Sequence, residues 1–253
     1  MVDAGTAFLV LGVASFTPPL LFLWLVRSTE RYGQEPWDRL IRTFFWGALA
    51  AVIISVILEV LLFAFFKEVD RVYVFSGRFP NLGTIVLALV IAPLVEEFGK
   101  GVGVYIRERD LQEPEDGLVY GAASGFGFGA SENLLYGVSA FALTGSIGVS
   151  LLVVFIRSIS SALLHASASA TFGAGIARAR LWPHLHNAFP YYLLAVAMHS
   201  TFNFLASLGE LEPGLLGGAG DVIGLIAAGL MAVFAFVIIH SIIRREDQQR
   251  VAY

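Results

Sequence analysis

Ala92-Pro93-Leu94-Val95-Glu96-Glu97-Phe98-Gly99-Lys100 lies inside an apolar run from Leu82 to Ile106. That run is long enough to cross the roughly 30 Å hydrocarbon core of a bilayer, so two carboxylates and an ammonium fall where charge is least tolerated. One ionisable residue at the centre of a spanning helix costs on the order of 3 kcal/mol or more, and three together imply partners or a use. At about 100° per residue Glu96 and Lys100 share a face, while Glu97 points a quarter-turn away, toward the face of Gly101. The helical wheel therefore pairs Glu96 with Lys100 and leaves the other carboxylate free.

The rest of the chain makes the bilayer the governing solvent. Of 253 residues 57% are hydrophobic and only 14% are charged, and mean hydropathy is +0.76. These values lie outside the range of a soluble domain and predict an all-α, polytopic membrane bundle. A net charge of −4 argues against nucleic acid as a partner, because a basic stripe to neutralise phosphates is missing. With no cysteine there is no disulfide framework, thiolate nucleophile or Cys-ligated metal.

Hydrophobic periodicity predicts seven spans, at residues 6–26, 41–66, 82–106, 117–142, 147–177, 189–208 and 221–243. The first follows Asp3 with no preceding basic residue, which reads as an uncleaved span. Odd-numbered connections and the tail carry eleven arginines, Arg27 through Arg250, against Lys67, Arg71 and Arg78 on the other side. The bias predicts an amino terminus outside and a carboxyl terminus in the cytoplasm. The whole chain, 1–253, reads as one integral-membrane domain. Residues 67–81 mix charge with Val-Tyr-Val-Phe and predict a little extended structure.

Four consecutive spans, the third to the sixth, supply polar candidates. Glu96, Glu97 and Lys100 lie on the third, and Phe128, Glu132 and Asn133 on the fourth. Arg157 and His165 lie on the fifth, and His199 and Asn203, one turn apart, on the sixth. Lipid-facing positions would leave each unpaired, so together they predict a polar chamber within the bundle. Three carboxylates side by side cannot all ionise, so at least one holds a proton or a cation. Gly117, Gly121, Gly125 and Gly129 recur every fourth residue, the small-residue stripe that lets helix backbones approach. Glu59, toward the outer end of the second span, reads as a side chain whose stem reaches the headgroups. His184 and His186 read as solvated loop histidines.

The ordered series Glu96-Glu97-x-x-Lys100, Phe128-x-x-x-Glu132-Asn133, His165 and His199-x-x-x-Asn203 resembles the PrsW family of intramembrane proteases. The loop Glu35-Pro36-Trp37, followed by Phe44 to Gly47, resembles that family's first connection. PrsW proteins resemble in turn the type II CAAX prenyl endopeptidases. From that wider group this chain departs by Lys100 in place of an arginine, one residue closer, and by Glu132 in place of a histidine. The resemblance implies an intramembrane endopeptidase in the plasma membrane of a prokaryote, cutting a membrane-anchored protein or peptide such as an anti-sigma factor. By analogy with the family motif, Glu96 is the base that activates water. Glu97, Glu132 and His165 then position that water and share its proton, and His199 and Asn203 donate to the oxyanion. Lys100 and Arg157 balance charge, with Phe128 and Asn133 in support. No metal and no cofactor is the reading taken, with zinc as the alternative, because carboxylates and two histidines are adequate ligands although no His-Glu-x-x-His helix is present. A carrier, a receptor and a membrane-protein binder that does not cut are the non-enzymatic rivals.

Overall fold

The computed structural model describes residues 2–75, 77, 79, 81–211 and 219–249; Arg78 and Arg250, counted above in the charge bias, lie outside them. The described chain is helical, with no strand. In order it forms α1 (Ala4–Thr29), α2 (Trp37–Phe45), α3 (Val52–Tyr73), α4 (Leu82–Val86), α5 (Ala92–Tyr105), α6 (Pro114–Thr144), α7 (Ile147–Ile159), α8 (Ser161–Leu181), α9 (Phe189–Ala206), α10 (Leu208–Leu211) and α11 (Gly220–Gln249). Two π-helical segments, Trp46–Ala51 and Leu87–Ile91, join α2 to α3 and α4 to α5.

Five helices or continuous helix pairs are long and apolar enough to cross a bilayer: Ala4–Thr29, Trp37–Tyr73, Leu82–Tyr105, Ile147–Leu181 and Gly220–Gln248. The remaining two expected spans are α6 and α9. α6 has 31 residues, about 46 Å at 1.5 Å per residue, yet it is rich in glycine and serine rather than large apolar side chains. Its position explains this: every residue from Glu115 to Ala130 is buried against other helices. A helix enclosed by protein has little lipid to satisfy. On the outside of the bundle, α3 shows lipid the side chains of Ile53, Val56, Val60 and Leu61, all exposed.

The glycine stripe does what its spacing predicts. A Cβ on Gly117 would stand 2.3 Å from the carbonyl oxygen of Gly173, one on Gly121 2.3 Å from that of Ser169, and one on Gly125 2.3 Å from that of His165. α6 and α8 therefore meet backbone to backbone. On the opposite side of α6, a Cβ on Gly127 would stand 1.8 Å from the carbonyl oxygen of Phe44, so α2 is held just as closely.

Three local expectations are corrected. The fifth predicted span is not one rod: it breaks at Ser160 (φ −116°, ψ −76°) into α7 and α8. The second does not stop near residue 66, because α3 runs on to Tyr73 and ends at Val74 in the left-handed region, φ +55°. Helix thus replaces much of the extended structure expected there. The third is interrupted by the π-helical turn at Leu87–Ile91, whose consequence appears at the site below.

At the other end of the bundle, the connection between α1 and α2 is tied down by polar contacts. Both carboxylate oxygens of Asp247 on α11 accept from the backbone N–H of Arg31 at 3.0 Å. Tyr120 on α6 donates to the Glu35 carboxylate. Arg27 donates to the Glu35 carbonyl at 2.6 Å and lies over the Trp37 ring, 4.8 Å from its centroid. Burial pushes the Glu30 carboxyl up to about 8, with Glu35, Asp116 and Glu115 adding repulsion. Burial likewise pushes Glu35 up to about 7, offset in part by the Tyr120 hydrogen bond.

Two predictions follow from these contacts. Gly125→Ala drives a methyl into the His165 carbonyl and should destabilise the protein by about 2–3 kcal/mol, the cost of overpacking a close contact. Gly12→Ala, which faces open space, should leave thermal unfolding in detergent unchanged. The second concerns pH. A carboxyl whose folded pKa exceeds its unfolded one binds more protons in the folded state, so its stabilising contribution is complete below the unfolded value, near 4.5, and is lost as pH rises toward 8. The melting temperature should fall between pH 5 and pH 8, and Glu30→Gln should flatten that slope; an unchanged slope would remove Glu30 as its cause.

Candidate active site

Glu97 and Lys100 lie one helical turn apart on α5, both with fully buried side chains, and the Lys100 ammonium donates to Glu97 Oε1 at 2.6 Å. Glu96 is the looser partner, its Oε2 3.7 Å from the same nitrogen. The i,i+4 pair read from the helical wheel is present, but the closer partner of Lys100 is Glu97 at i,i+3, so the second carboxylate is not free. Glu97 is engaged on every side: Oε1 also meets His199 Nδ1 at 2.9 Å, and Oε2 accepts from Ser169 Oγ on α8 at 3.0 Å. Lys100 also contacts His165 Nδ1 at 2.9 Å and sits over the Phe128 ring, 4.4 Å from its centroid. Phe128 in turn packs against His165, with ring centroids 5.2 Å apart.

A second carboxylate centre stands on α6. Glu132 Oε2 is 2.7 Å from His165 Nε2 and 2.7 Å from the guanidinium of Arg157 on α7. Arg157 further donates to Asn133 Oδ1 at 3.2 Å and to Ser161 Oγ at 2.9 Å, and stacks on Tyr136 at 3.7 Å from its centroid. The break at Ser160 allows this: α7 ends with Arg157 beside α6, and α8 begins with Ser161 hydrogen-bonded to Glu132 at 3.2 Å.

These contacts fix both imidazoles. A carboxylate only accepts, so His165 donates from Nε2 to Glu132 and His199 donates from Nδ1 to Glu97. The other nitrogens, His165 Nδ1 and His199 Nε2, are left as acceptors. Both face Glu96 Oε2, at 4.0 Å and 3.8 Å. That oxygen is buried and has no hydrogen-bond partner. One ligand atom from each of Glu96, His165 and His199 lies within 4.8 Å of the others, and all three residues are buried. His165 Nδ1 accepts from the Lys100 ammonium, so Glu96 Oε2 and His199 Nε2 are the two acceptors that face each other across a small gap with room for a donor or a cation.

The gap opens into a cavity of about 300 Å³ lined by Glu59, Glu96, Glu132, Tyr136, Arg157, Ser161, His165 and Asn203, with apolar walls from Leu87, Ala88, Ala92 and Phe202. Asn203 lines it while donating from Nδ2 to the Ala88 carbonyl at 2.9 Å, and Ser200 donates to the Leu89 carbonyl at 2.6 Å. Both carbonyls belong to the π-helical segment, where the wider turn releases oxygens from the regular ladder.

Every candidate residue named from the sequence belongs to this one centre or touches it. Tyr136, one turn beyond Glu132, was missed, although its spacing places it on the same face. Glu59 was read as reaching headgroups, and it lines the cavity instead.

Comparison with known proteins agrees with this arrangement. Residues 35–241 match the family described as "PrsW family intramembrane metalloprotease". A curated relative, "Protease PrsW" of Clostridioides difficile (strain 630), is 30% identical over 202 residues, covering 77% of this chain and 78% of its own. No solved structure matches. A buried glutamate and histidine centre in a helical membrane bundle, and a family match across most of the chain, lead to one assignment: the chain belongs to the PrsW family of intramembrane proteases.

Proposed function

We propose that this protein hydrolyses peptide bonds of membrane-anchored proteins, of the anti-sigma-factor kind by family resemblance, using a water held at Glu96. The observation that carries the reading is the unpartnered Glu96 Oε2, buried opposite His199 Nε2 and beside a His165 Nδ1 that already accepts from Lys100. Separations of 3.7–4.0 Å around it are too long for direct hydrogen bonds and suit one bridging atom. A water there donates to Glu96, which serves as its base, and to one imidazole, and presents a lone pair to a carbonyl in the cavity. Glu97, saturated by Lys100, His199 and Ser169, is a positioning residue that holds His199 and Lys100 in place. Glu132 does the same for His165. Asn203 has one N–H committed to Ala88 and one left to offer an oxyanion. The leaving amine takes the proton that Glu96 removed from water.

A second reading is favoured by the donor set. Each imidazole is held by a carboxylate through its other nitrogen, the support that metal-ligating histidines usually have. Glu96, His165 and His199 would therefore hold a divalent cation such as zinc with the Lys100 ammonium turned away from His165 Nδ1. Such an ion would polarise the scissile carbonyl and acidify its bound water. Charge supports either reading. Glu96, Glu97 and Glu132 face Lys100 and Arg157, so one negative charge remains for a proton or a cation to offset.

We extend the proposal to topology: seven spans, with α6 and α9 added to the five long apolar ones, an amino terminus outside and a carboxyl terminus in the cytoplasm of a prokaryote. The cavity rim at Ala206 and Ser207 then lies toward the outer face, since these residues end α9 on the side opposite the arginine-rich connections.

Purified protein in liposomes, given a library of transmembrane peptides, should produce cuts readable by mass spectrometry. Glu96→Gln should reduce them at least about 100-fold, the scale of losing a general base, without altering thermal unfolding. Full activity in that variant would sink the role given to Glu96. Elemental analysis of wild type and of His199→Ala separates the two readings. Near-stoichiometric zinc lost in the variant, with cutting abolished by chelator, establishes the metal; cutting that survives chelation by metal-free protein establishes the glutamate alone.

A further inference from the structure

The chamber holds a fourth carboxylate that the chemistry above leaves without a task. Glu59 lies on α3, whose outer faces are apolar and exposed to lipid, and it is the single charged residue between Arg42 and Lys67. An ionisable side chain there is costly, and such residues generally face an interior cavity and find a partner. Glu59 faces the cavity that leads to Glu96, but it forms no hydrogen bond or ion pair with any described residue. It lies close enough for its charge to be felt at both Glu96 and Glu132.

The cations nearby are already engaged. Lys100 is held by Glu97 and His165, and Arg157 by Glu132, Asn133 and Ser161. The cavity, at about 300 Å³, has room for roughly ten waters at ~30 Å³ each, well beyond the reacting one. A carboxylate with no cation in contact, lining the cavity beside Glu96, is complementary to a positive charge carried by a peptide.

Resting on the protease reading, we propose that Glu59 and the adjoining rim of this cavity form a specificity subsite that takes a lysine or arginine side chain of the substrate close to the bond being cut. The substrate cation supplies the counter-charge that the bundle lacks, so docking and charge neutralisation are one event. A neutral side chain at that position would leave Glu59 desolvated and unpaired, which is how the site would reject it.

Matched transmembrane peptides carrying lysine, glutamine or glutamate at successive positions around a cut site provide the test. They are used in two assays: cleavage by wild type, and binding to the Glu96→Gln protein in nanodiscs, which needs no turnover. The lysine peptide at one position should be preferred over glutamine about tenfold in both assays. Glu59→Gln should bring that ratio to about one, and Glu59→Lys should reverse it toward the glutamate peptide. The reversal guards against loss of preference through misfolding, since a misfolded protein gains no new preference. A lysine-to-glutamine ratio near one in wild type, as expected if Glu59 merely carries a proton, overturns the subsite and leaves proteolysis standing. A ratio that survives Glu59→Gln and Glu59→Lys does the same. Lysine-selective, Glu59-dependent binding with no cutting by wild type would instead keep the subsite and remove the protease reading.

Discussion

The structure depends on the buried ion pair between Glu97 and Lys100. Neither side chain is exposed to solvent, so each requires the other: a lone charge in a low-dielectric interior costs several kcal/mol, and removing one partner of such a pair leaves that cost uncompensated. The pair also organises its surroundings. Glu97 receives the N–H of His199 and the hydroxyl of Ser169, while Lys100 reaches His165 and rests on Phe128. One turn of α5 thereby fixes side chains from α6, α8 and α9. What remains unsatisfied is the oxygen of Glu96 that faces both histidines. The neighbouring carboxylate is saturated, and this one keeps an oxygen without a partner.

Holding that turn in place demands close approach of the helix backbones. His165 reaches Lys100 on one side and Glu132 on the other, which fixes the position of α8 relative to both α5 and α6. The glycine at 125 lets the backbone of His165 come that near. The stripe of glycines and the ionic centre are thus two halves of one design: small residues close the helices together, and charges make use of the short distances. This also accounts for the composition of α6. A helix surrounded by protein can give up large apolar side chains, and in doing so it ceases to look like a membrane span.

Much of this was legible in the sequence because the bilayer penalises misplaced polarity. Each of Glu96, Glu97, Lys100, Glu132, Arg157, His165 and His199 was conspicuous against apolar neighbours, and the structure brings them to one centre. The partners were less legible. A helical wheel pairs Glu96 with Lys100, but side chains on one helix also answer to other helices. With His199 and Ser169 approaching from α9 and α8, Glu97 becomes the better anchor. The break at Ser160 and the π-helical turn at Trp46–Ala51 carry no proline signal, and Ser131 meets the Ala48 carbonyl of that turn; the turn at Leu87–Ile91 does carry one, because Pro93 has no N–H to offer the Ala88 or Leu89 carbonyl, which Asn203 and Ser200 reach instead. Glu59 was visible as a charge, but not as part of the site, because only the tertiary arrangement shows that its face of α3 turns toward α6 and α9.

Hydrolysis inside a membrane needs water and peptide to meet where neither is readily admitted. The cavity beside Glu96 has a divided lining suited to both. Glu59, Glu96, Glu132, Arg157, Ser161 and Asn203 offer polar contacts on some sides, and Leu87, Ala88, Ala92 and Phe202 supply an apolar wall. That wall is formed by the segment whose released carbonyls hold Asn203 and Ser200. The distortion that widens the helix at Leu87–Ile91 therefore also ties the apolar wall to α9, which carries His199. Any movement of α9 would carry His199 and Asn203 together, since both lie on that helix. The bond between Asn203 and Ala88 ties the apolar wall of the cavity to the helix that carries His199.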